Sequence, residues 1–160
     1  PTFYQPFSHT PLKQDLVIKE AINGECFKQS MIDKRQDAWH CLANGKTYDP
    51  CFKYPFNNNH ELICPYSPWH TLAIKIITKQ TLDNSQHLKL DMSKNKPWAL
   101  ELVDGTRCLI ISPSIKSNYQ YQCENEKHLI GKLYRCKGIW QIYQKDNENF
   151  NITDIKRAWF

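Results

Sequence analysis

The seven cysteines are the residues of this chain whose type and spacing point most directly to chemistry. Three gaps between them are short and similar, at 15 residues from Cys26 to Cys41, 13 from Cys51 to Cys64 and 15 from Cys108 to Cys123. No Cys-x-x-Cys pair is present, so the spacing is not that of a zinc site. Consecutive pairing into three disulfides is the simplest interpretation, but six cysteines allow many connectivities and the sequence alone does not choose among them.

Three short disulfide-closed loops would each stabilise the fold by roughly 3 kcal/mol. Chains with such bonds fold in an oxidising compartment, so we expect the protein to be secreted or periplasmic. The start of the sequence, Pro1-Thr2-Phe3-Tyr4, has no basic stretch followed by an apolar one. We therefore expect that a signal peptide has already been removed.

Cys136 has no partner in this pairing and lies between Arg135 and Lys137. Neighbouring cations lower the pKa of a thiol and favour a reactive thiolate. His128 is the nearest histidine along the chain, but no cysteine-protease motif surrounds either residue. We expect a free, partly buried thiol at Cys136, with an intermolecular disulfide and catalysis as the alternatives.

The remaining polar residues do not form the pattern of a catalytic or metal site. His40 and His70 each lack a second ligand at a usable spacing, and Glu124 and Glu126 fall in a predicted turn, where acidic residues are ordinary. No phosphate-binding glycine loop and no Gly-x-Ser-x-Gly motif is present. We predict no catalytic residue, no metal site and no cofactor.

Aromatic side chains are the remaining candidates for binding. The five tryptophans would stack on sugar rings where they are exposed, although most of them should lie in the core of a β domain. The possible binding residues are Trp69, Trp140 and Arg135.

Length and composition predict a single globular domain. A chain of 160 residues is long enough to bury about two thirds of its unfolded surface. No apolar run approaches the roughly 18 residues of a membrane-spanning helix. The net charge of +5 comes with lysines scattered along the chain, so binding to nucleic acid is not predicted.

The strongest structural signal is a hairpin over residues 97–111, in which two apolar runs flank Asp104-Gly105. The Asp-Gly pair predicts a two-residue type I′ turn, which places Leu100 opposite Leu109 and Glu101 opposite Cys108. A β-branched run at 72–78 predicts the central strand, buried on both faces. Further strands are predicted at 118–123, 128–133 and 139–144, and a strand or short helix at 15–22. Residues 150–160 are expected to supply apolar side chains that close the core.

The other segments predict loops. Residues 1–14 are expected to be an extended or disordered arm, 31–41 a loop, 51–69 a disulfide-closed surface loop with Asn57, Asn58 and Asn59 at its tip, and 79–96 a polar loop. Residues 15–160 are thus predicted to form a single, mainly β domain. The expected architecture is an antiparallel sandwich or small barrel of about seven strands, with a disulfide-tied N-terminal cap over residues 26–64.

An ordered series of short motifs resembles an uncharacterised family of small secreted or lipoprotein-type bacterial envelope proteins. The resemblance covers about residues 24–160 and implies export, a three-disulfide pattern and no particular activity, with Cys136 outside the pattern. The motifs are Cys26, Asp37-Ala38-Trp39-His40-Cys41, Asp49-Pro50-Cys51-Phe52, Cys64-Pro65, Pro68-Trp69, Pro97-Trp98-Ala99-Leu100-Glu101-Leu102, Asp104-Gly105-Thr106-Arg107-Cys108, Tyr121-Gln122-Cys123 and Ala158-Trp159-Phe160.

These observations predict a non-enzymatic exported protein of the bacterial cell envelope or secretome. Its expected partner is another exported or host protein, with a glycan as a further possibility. One alternative is an inhibitor of a host or competitor enzyme, such as a lysozyme. The other is a hydrolase acting on envelope glycans or peptides, with carboxylates such as Glu101 or Glu124 as acid and base.

Overall fold

A computed structural model describes residues 1–7, 12–55 and 60–160, and almost all of its regular structure is β. The mainly β prediction is therefore confirmed. The strands are β1 (Val17–Asn23), β2 (Glu25–Gln29), β3 (Ala38–Ala43), β4 (Lys46–Lys53), β5 (Glu61–Pro65), β6 (Leu72–Ile77), β7 (Ala99–Leu102), β8 (Arg107–Ile110), β9 (Tyr119–Cys123), β10 (His128–Arg135), β11 (Trp140–Asp146) and β12 (Asn149–Trp159), with a 3₁₀ turn at Glu124–Glu126.

The chain divides into two compact units. The sheet unit comprises Tyr4–Asn95 and contains β1 to β6, and the barrel unit comprises Pro1–Phe3 with Lys96–Phe160 and contains β7 to β12. The sequence predicts no boundary after Asn95. The single domain over 15–160 stays a prediction.

The six strands of the sheet unit lie in the order β1-β6-β5-β4-β3-β2. All neighbours are antiparallel except β1 and β6, which are parallel. The two edge strands, β1 and β2, are consecutive in the chain and are joined by Gly24 alone. Asn23 pairs with Ile77 of β6, and Glu25 pairs with Leu42 of β3. The sheet therefore curls until its two edges meet at Gly24.

Gly24 is required at this position because of close packing. Its N–H donates to the carbonyl of Ile77 at 3.0 Å. A Cβ atom added to Gly24 would lie 2.8 Å from the carbonyl oxygen of Leu42 and 3.1 Å from Cγ2 of Ile76. The first of these neighbours is backbone and cannot rotate away, so a larger residue would push the Gly24 backbone away from β3 and β6.

The strand β6 is buried on both faces, as its sequence predicts. Ile74 and Ile76 lie in one core cluster of the sheet unit, whereas Ala73 lies in another with Leu16 and Ile63. Only the terminal residues of β6 are exposed. The first cluster also contains Trp39, Leu82 and the four disulfide-bonded cysteines of the sheet unit. These cysteines therefore contribute packing as well as covalent links.

The free edge of β2 is covered by the polar segment that follows β6. The side chain of Gln80 donates to the Cys26 carbonyl at 3.0 Å. The side-chain amide of Gln29 forms two hydrogen bonds with the backbone of Leu88, at 2.9 and 3.1 Å. The loop predicted over 79–96 is confirmed as non-strand, and it protects an edge that would otherwise be open to other chains.

The barrel unit closes completely, in the order β10-β11-β12-β7-β8-β9, so each strand has two hydrogen-bonded neighbours. Its interior is filled by large side chains, and the hydroxyl of buried Tyr121 donates to the Pro97 carbonyl at 2.6 Å. The fully buried residues include Trp98, Leu100, Leu102, Leu129, Ile142 and Phe160.

The register of the β7–β8 hairpin differs by one residue from the prediction. Leu100 lies opposite Cys108 rather than Leu109. Leu102 and Thr106 pair across a three-residue loop, in which the Gly105 N–H donates to the Leu102 carbonyl and Gly105 has a φ of 89°. This is a turn followed by a glycine bulge instead of a two-residue turn. The predicted register places Cys108 and Leu100 on opposite faces of the hairpin. That prediction is wrong, and both side chains are buried.

Three segments predicted to be loop or arm contain more structure than expected. The segment 31–41 includes the first four residues of β3, so the loop prediction is wrong for those residues. The segment 51–69 includes the end of β4 and all of β5, so the surface-loop prediction is wrong for those residues, while its Asn57 to Asn59 tip lies outside the described residues. Within the predicted arm, Thr2 bridges to Trp159 and Tyr4 is buried. Residues 8–11 of that arm are also outside the described part.

Candidate functional site

The three disulfides have the predicted consecutive pairing. Each joins two residues that lie directly opposite one another on neighbouring antiparallel strands. All six bonded cysteines are buried. Their disulfides link neighbouring strands covalently. The bonds are Cys26 with Cys41, Cys51 with Cys64, and Cys108 with Cys123.

Cys136 is free and exposed, so the expectation of a partly buried thiol is wrong. It lies in the short connection between β10 and β11, where a hairpin tip leaves its side chain in solvent. His128 begins β10 and Arg135 ends it. Their partners on β11, Lys145 and Trp140, are five residues apart, so the two ends of β10 are separated by roughly 17 Å. His128 therefore cannot act as a base for Cys136 in this arrangement.

Two of the three predicted binding residues lie together. Arg135 is opposite Trp140 in the β10–β11 pair, and its guanidinium carbon lies 4.9 Å from the Trp140 ring centroid. Trp69 belongs to the sheet unit. Trp69 and Trp140 are the two tryptophans that keep partial exposure, whereas the other three are buried. A binding role for Trp69, Trp140 and Arg135 stays a prediction.

A set of aromatic and apolar side chains that the sequence did not single out covers the outside of the barrel unit. Tyr143 lies opposite Ile130 on one side and Ile152 on the other. Ile142, the next residue along β11, is fully buried, and alternation along a strand therefore directs Tyr143 outward. We call this set the aromatic face; its residues are Tyr119, His128, Ile130, Tyr134, Tyr143, Lys145, Phe150 and Ile152.

The rings of the aromatic face are held by one another and by a cation. Tyr119 stacks on His128 with ring centroids 4.3 Å apart. The Lys145 ammonium lies 5.7 Å from the Tyr119 ring and 5.5 Å from the Phe150 ring, within the range of cation–π attraction. These contacts order side chains that would otherwise lose rotamer freedom on binding, which lowers the entropic cost of a complex.

The aromatic face remains open to solvent. Phe150 is 56% exposed, Ile152 54%, Tyr134 42% and Tyr143 37%. Isolated exposed apolar residues are ordinary, but a contiguous patch of this kind marks an interaction surface in many proteins. Tyrosine and phenylalanine are also enriched in protein interfaces. The face is therefore the strongest candidate for a binding surface in the barrel unit.

Comparison with family models, with curated proteins and with solved structures finds no match to this chain. No helix in the described ranges is both long and apolar enough to cross a membrane. Those ranges also contain no group of three or more His, Cys, Asp or Glu residues that could hold a metal ion.

A polar network in the sheet unit contains the residue types of a catalytic triad but not its order. The carboxylate of Asp49 accepts from the hydroxyl of Ser30 and lies 2.8 Å from Nδ1 of His40. In a working triad the histidine lies between the other two and takes the proton of the nucleophile. Ser30 is fully buried and its oxygen accepts the Asp33 N–H at 2.8 Å, so this network holds the β2–β3 connection.

Asp33 is the most unusual ionisable group beside that network. It is 1% exposed, and its Oδ2 atom has no hydrogen-bond partner within the described residues. Burial raises its pKa to about 7; the positive charge of Arg35 opposes this shift, and the negative charges of Asp37 and Asp49 add to it. Because Asp33 is almost completely shielded from solvent, we interpret the shift as a stability effect.

The other predicted candidates have local partners. His70 is exposed, and its Nδ1 is 2.5 Å from the hydroxyl of buried Ser67, three residues earlier in the same turn. Glu101 is largely buried and its carboxylate lies 3.7 Å from the Lys156 ammonium. Glu124 is exposed in the 3₁₀ turn with Glu126. These contacts give His70 and Glu101 structural roles, whereas Glu124 lies in solvent.

Proposed function

We propose that this protein is a non-enzymatic exported binding protein of the bacterial cell envelope or secretome, and that it binds another exported or host protein. The observation that carries the proposal is the aromatic face of the barrel unit. It presents ordered rings and apolar side chains across neighbouring strands of a closed barrel, whose shape changes little when one side is contacted.

A protein partner fits the aromatic face better than a glycan does. Ile130, Phe150 and Ile152 carry no polar atom, whereas a sugar ring needs hydrogen-bonding groups beside the aromatic plane. The one cation of the face, Lys145, already lies between two rings. Apolar side chains from a partner would cover Ile130, Phe150 and Ile152, and polar groups of the same partner would pair with the tyrosine hydroxyls.

Export is supported by the three disulfides, which suit an oxidising compartment. The resemblance to small bacterial envelope proteins, drawn on the cysteine and tryptophan motifs, points the same way. A non-enzymatic role is supported by the arrangement of the candidate groups. Cys136 has no base within reach along β10, and the hydroxyl of Ser30 is buried and bonded to Asp49.

The proposal is tested with the double variant Phe150→Ser/Ile152→Ser. The matched control is Val103→Ser/Ile115→Ser, because these residues are 57% and 60% exposed in the same unit but outside the aromatic face. Partners captured from envelope and host secretions are identified, purified and titrated against each protein. We expect the face variant to weaken binding at least about tenfold, the control to bind like wild type, and both to unfold at wild-type temperature.

Three results would overturn this function. One is a purified partner that binds the face variant and wild type equally. Another is a glycan that binds wild type and is lost in the face variant while no protein partner binds. The third is turnover of peptidoglycan or ester substrates that disappears when Glu101, Glu124 or Cys136 is changed singly.

A further inference from the structure

A cleft of about 670 Å³ opens in the sheet unit at the point where the two edges of the sheet meet. Gly24 and Ala43 line it, together with the β3–β4 turn on one side and the segment Thr78–Gln80 on the other. This volume is within the range of small-molecule sites, which is about 300–1,000 Å³. The cleft belongs to the sheet unit and contains no residue of the aromatic face.

The walls of the cleft are fixed in place. Asn44 and Gly45 have φ angles of 52° and 73° and form a two-residue turn between Ala43 and Lys46, which suits a type I′ hairpin. On the other wall, the Gln80 side chain is bonded to β2 through the Cys26 carbonyl. Fixed walls mean that the cleft exists before a ligand arrives, so little ordering cost is paid on binding.

The cleft presents apolar surface together with two opposite charges. Leu42 and Ile77 line it and are 45% and 39% exposed. Glu25 and Lys79 also line it, and neither side chain forms an ion pair or a hydrogen bond within the ranges that the structure describes. A carboxylate and an ammonium are therefore available on one cleft without neutralising each other.

Two amide side chains complete the lining. Asn23 and Asn44 lie at the ends of β1 and of the β3–β4 hairpin. An amide side chain supplies both a donor and an acceptor, which is the pairing that a peptide bond requires. The residues that line the cleft can therefore recognise four features of a ligand: a positive end, a negative end, a peptide group and an apolar side chain.

We propose that this cleft binds a short apolar peptide with free amino and carboxyl ends. Glu25 receives the ammonium and Lys79 the carboxylate, in charge-assisted hydrogen bonds. Asn23 and Asn44 pair with the peptide group, and the apolar side chains pack on Leu42 and Ile77. The site lies outside the aromatic face, so the peptide is a second ligand, distinct from the protein partner proposed for that face.

The test is a titration of the full chain with the dipeptide Leu-Leu, followed by NMR shifts of backbone amides around Gly24 or by calorimetry. The paired probe is N-acetyl-Leu-Leu-amide, which keeps the side chains but loses both charges. We expect saturable binding of Leu-Leu and at least about tenfold weaker binding of the capped form. Glu25→Gln and Lys79→Gln are each expected to weaken Leu-Leu binding at least about fivefold.

The matched control variants are Lys19→Gln and Glu20→Gln, which change the same charges on exposed positions of β1 outside the cleft lining. They are expected to bind Leu-Leu like wild type. Equal binding of the free and capped dipeptides would overturn the proposal, and so would a response that does not saturate by about 10 mM. The Phe150→Ser/Ile152→Ser variant should keep full dipeptide binding, so this site and the aromatic face can fail independently.

Discussion

Replacing Asp33 by asparagine is expected to raise the free energy of unfolding at about pH 8 by roughly 1–3 kcal/mol. The carboxyl is buried and its Oδ2 atom lacks a hydrogen-bond partner within the described residues. Its pKa is raised to about 7 in the folded protein, about three units above that of an unfolded chain, and each unit corresponds to about 1.4 kcal/mol. The amide recovers less than the full amount because it is also buried without a complete set of partners.

The pH dependence follows from the same shift. The folded state holds the Asp33 proton more tightly than the unfolded state, so the stability linked to it is complete below about pH 4. That stability is lost as the pH rises towards the folded pKa of about 7. We therefore expect wild-type stability to fall between about pH 4 and 7, and the Asp33→Asn variant to lose part of this slope.

Urea unfolding with the disulfides intact, repeated across this pH range, measures the effect. Asp146→Asn is the control, because Asp146 is an exposed carboxyl at the end of β11, and its stability should follow wild type at every pH. A variant at Asp33 that is less stable than wild type at about pH 8, with an unchanged slope, would show that the carboxylate has a partner and is ionised in the folded protein.

Gly24→Ala is expected to lower the free energy of unfolding by about 2–3 kcal/mol. The added methyl would lie 2.8 Å from the Leu42 carbonyl oxygen and 3.0 Å from the Ala43 Cβ atom. Overpacking of this kind is relieved only by moving backbone, which costs about 1–3 kcal/mol. The loss should appear as a lower urea midpoint with an unchanged slope, because the unfolded state exposes the same surface.

Gly45→Asn is the matched control for Gly24→Ala. Gly45 also lies beside the cleft, but nothing lies within 4 Å of a Cβ placed there. Its φ of 73° is one that asparagine tolerates. We expect this control to change stability by less than about 1 kcal/mol. Equal stability of the two variants would mean that the Gly24 backbone can move away from β3 and β6 without cost.

The sequence predicts those parts of the fold that depend on local patterns. The apolar, β-branched run of β6 predicts a strand buried on both faces, and the spacing of the cysteines predicts all three disulfides. The β4 and β5 strands are missed because Pro50 and Pro65 lie within them, and proline normally disfavours a strand. The hairpin register is missed because Asp104-Gly105 suits both a two-residue turn and a turn with a bulge.

The candidate sites depend on tertiary structure, and local sequence patterns do not reveal which residues it brings together. Along β11, Trp140 and Ile142 alternate with Gln141 and Tyr143, so both faces carry apolar residues and the pattern does not say which one faces the core. The cleft is built from three segments that are distant in sequence and meet only because the sheet closes at Gly24. Nothing local to Asp33 indicates that it is buried.

The order of the disulfides has a consequence for how the chain acquires them. Each bond joins a cysteine to the next one along the sequence. If the chain enters an oxidising compartment N-terminus first, each native bond can form between the two cysteines that entered most recently. Cys136 enters after the other six cysteines have paired. A thiol oxidase alone should suffice for maturation, without an isomerase to correct misplaced bonds.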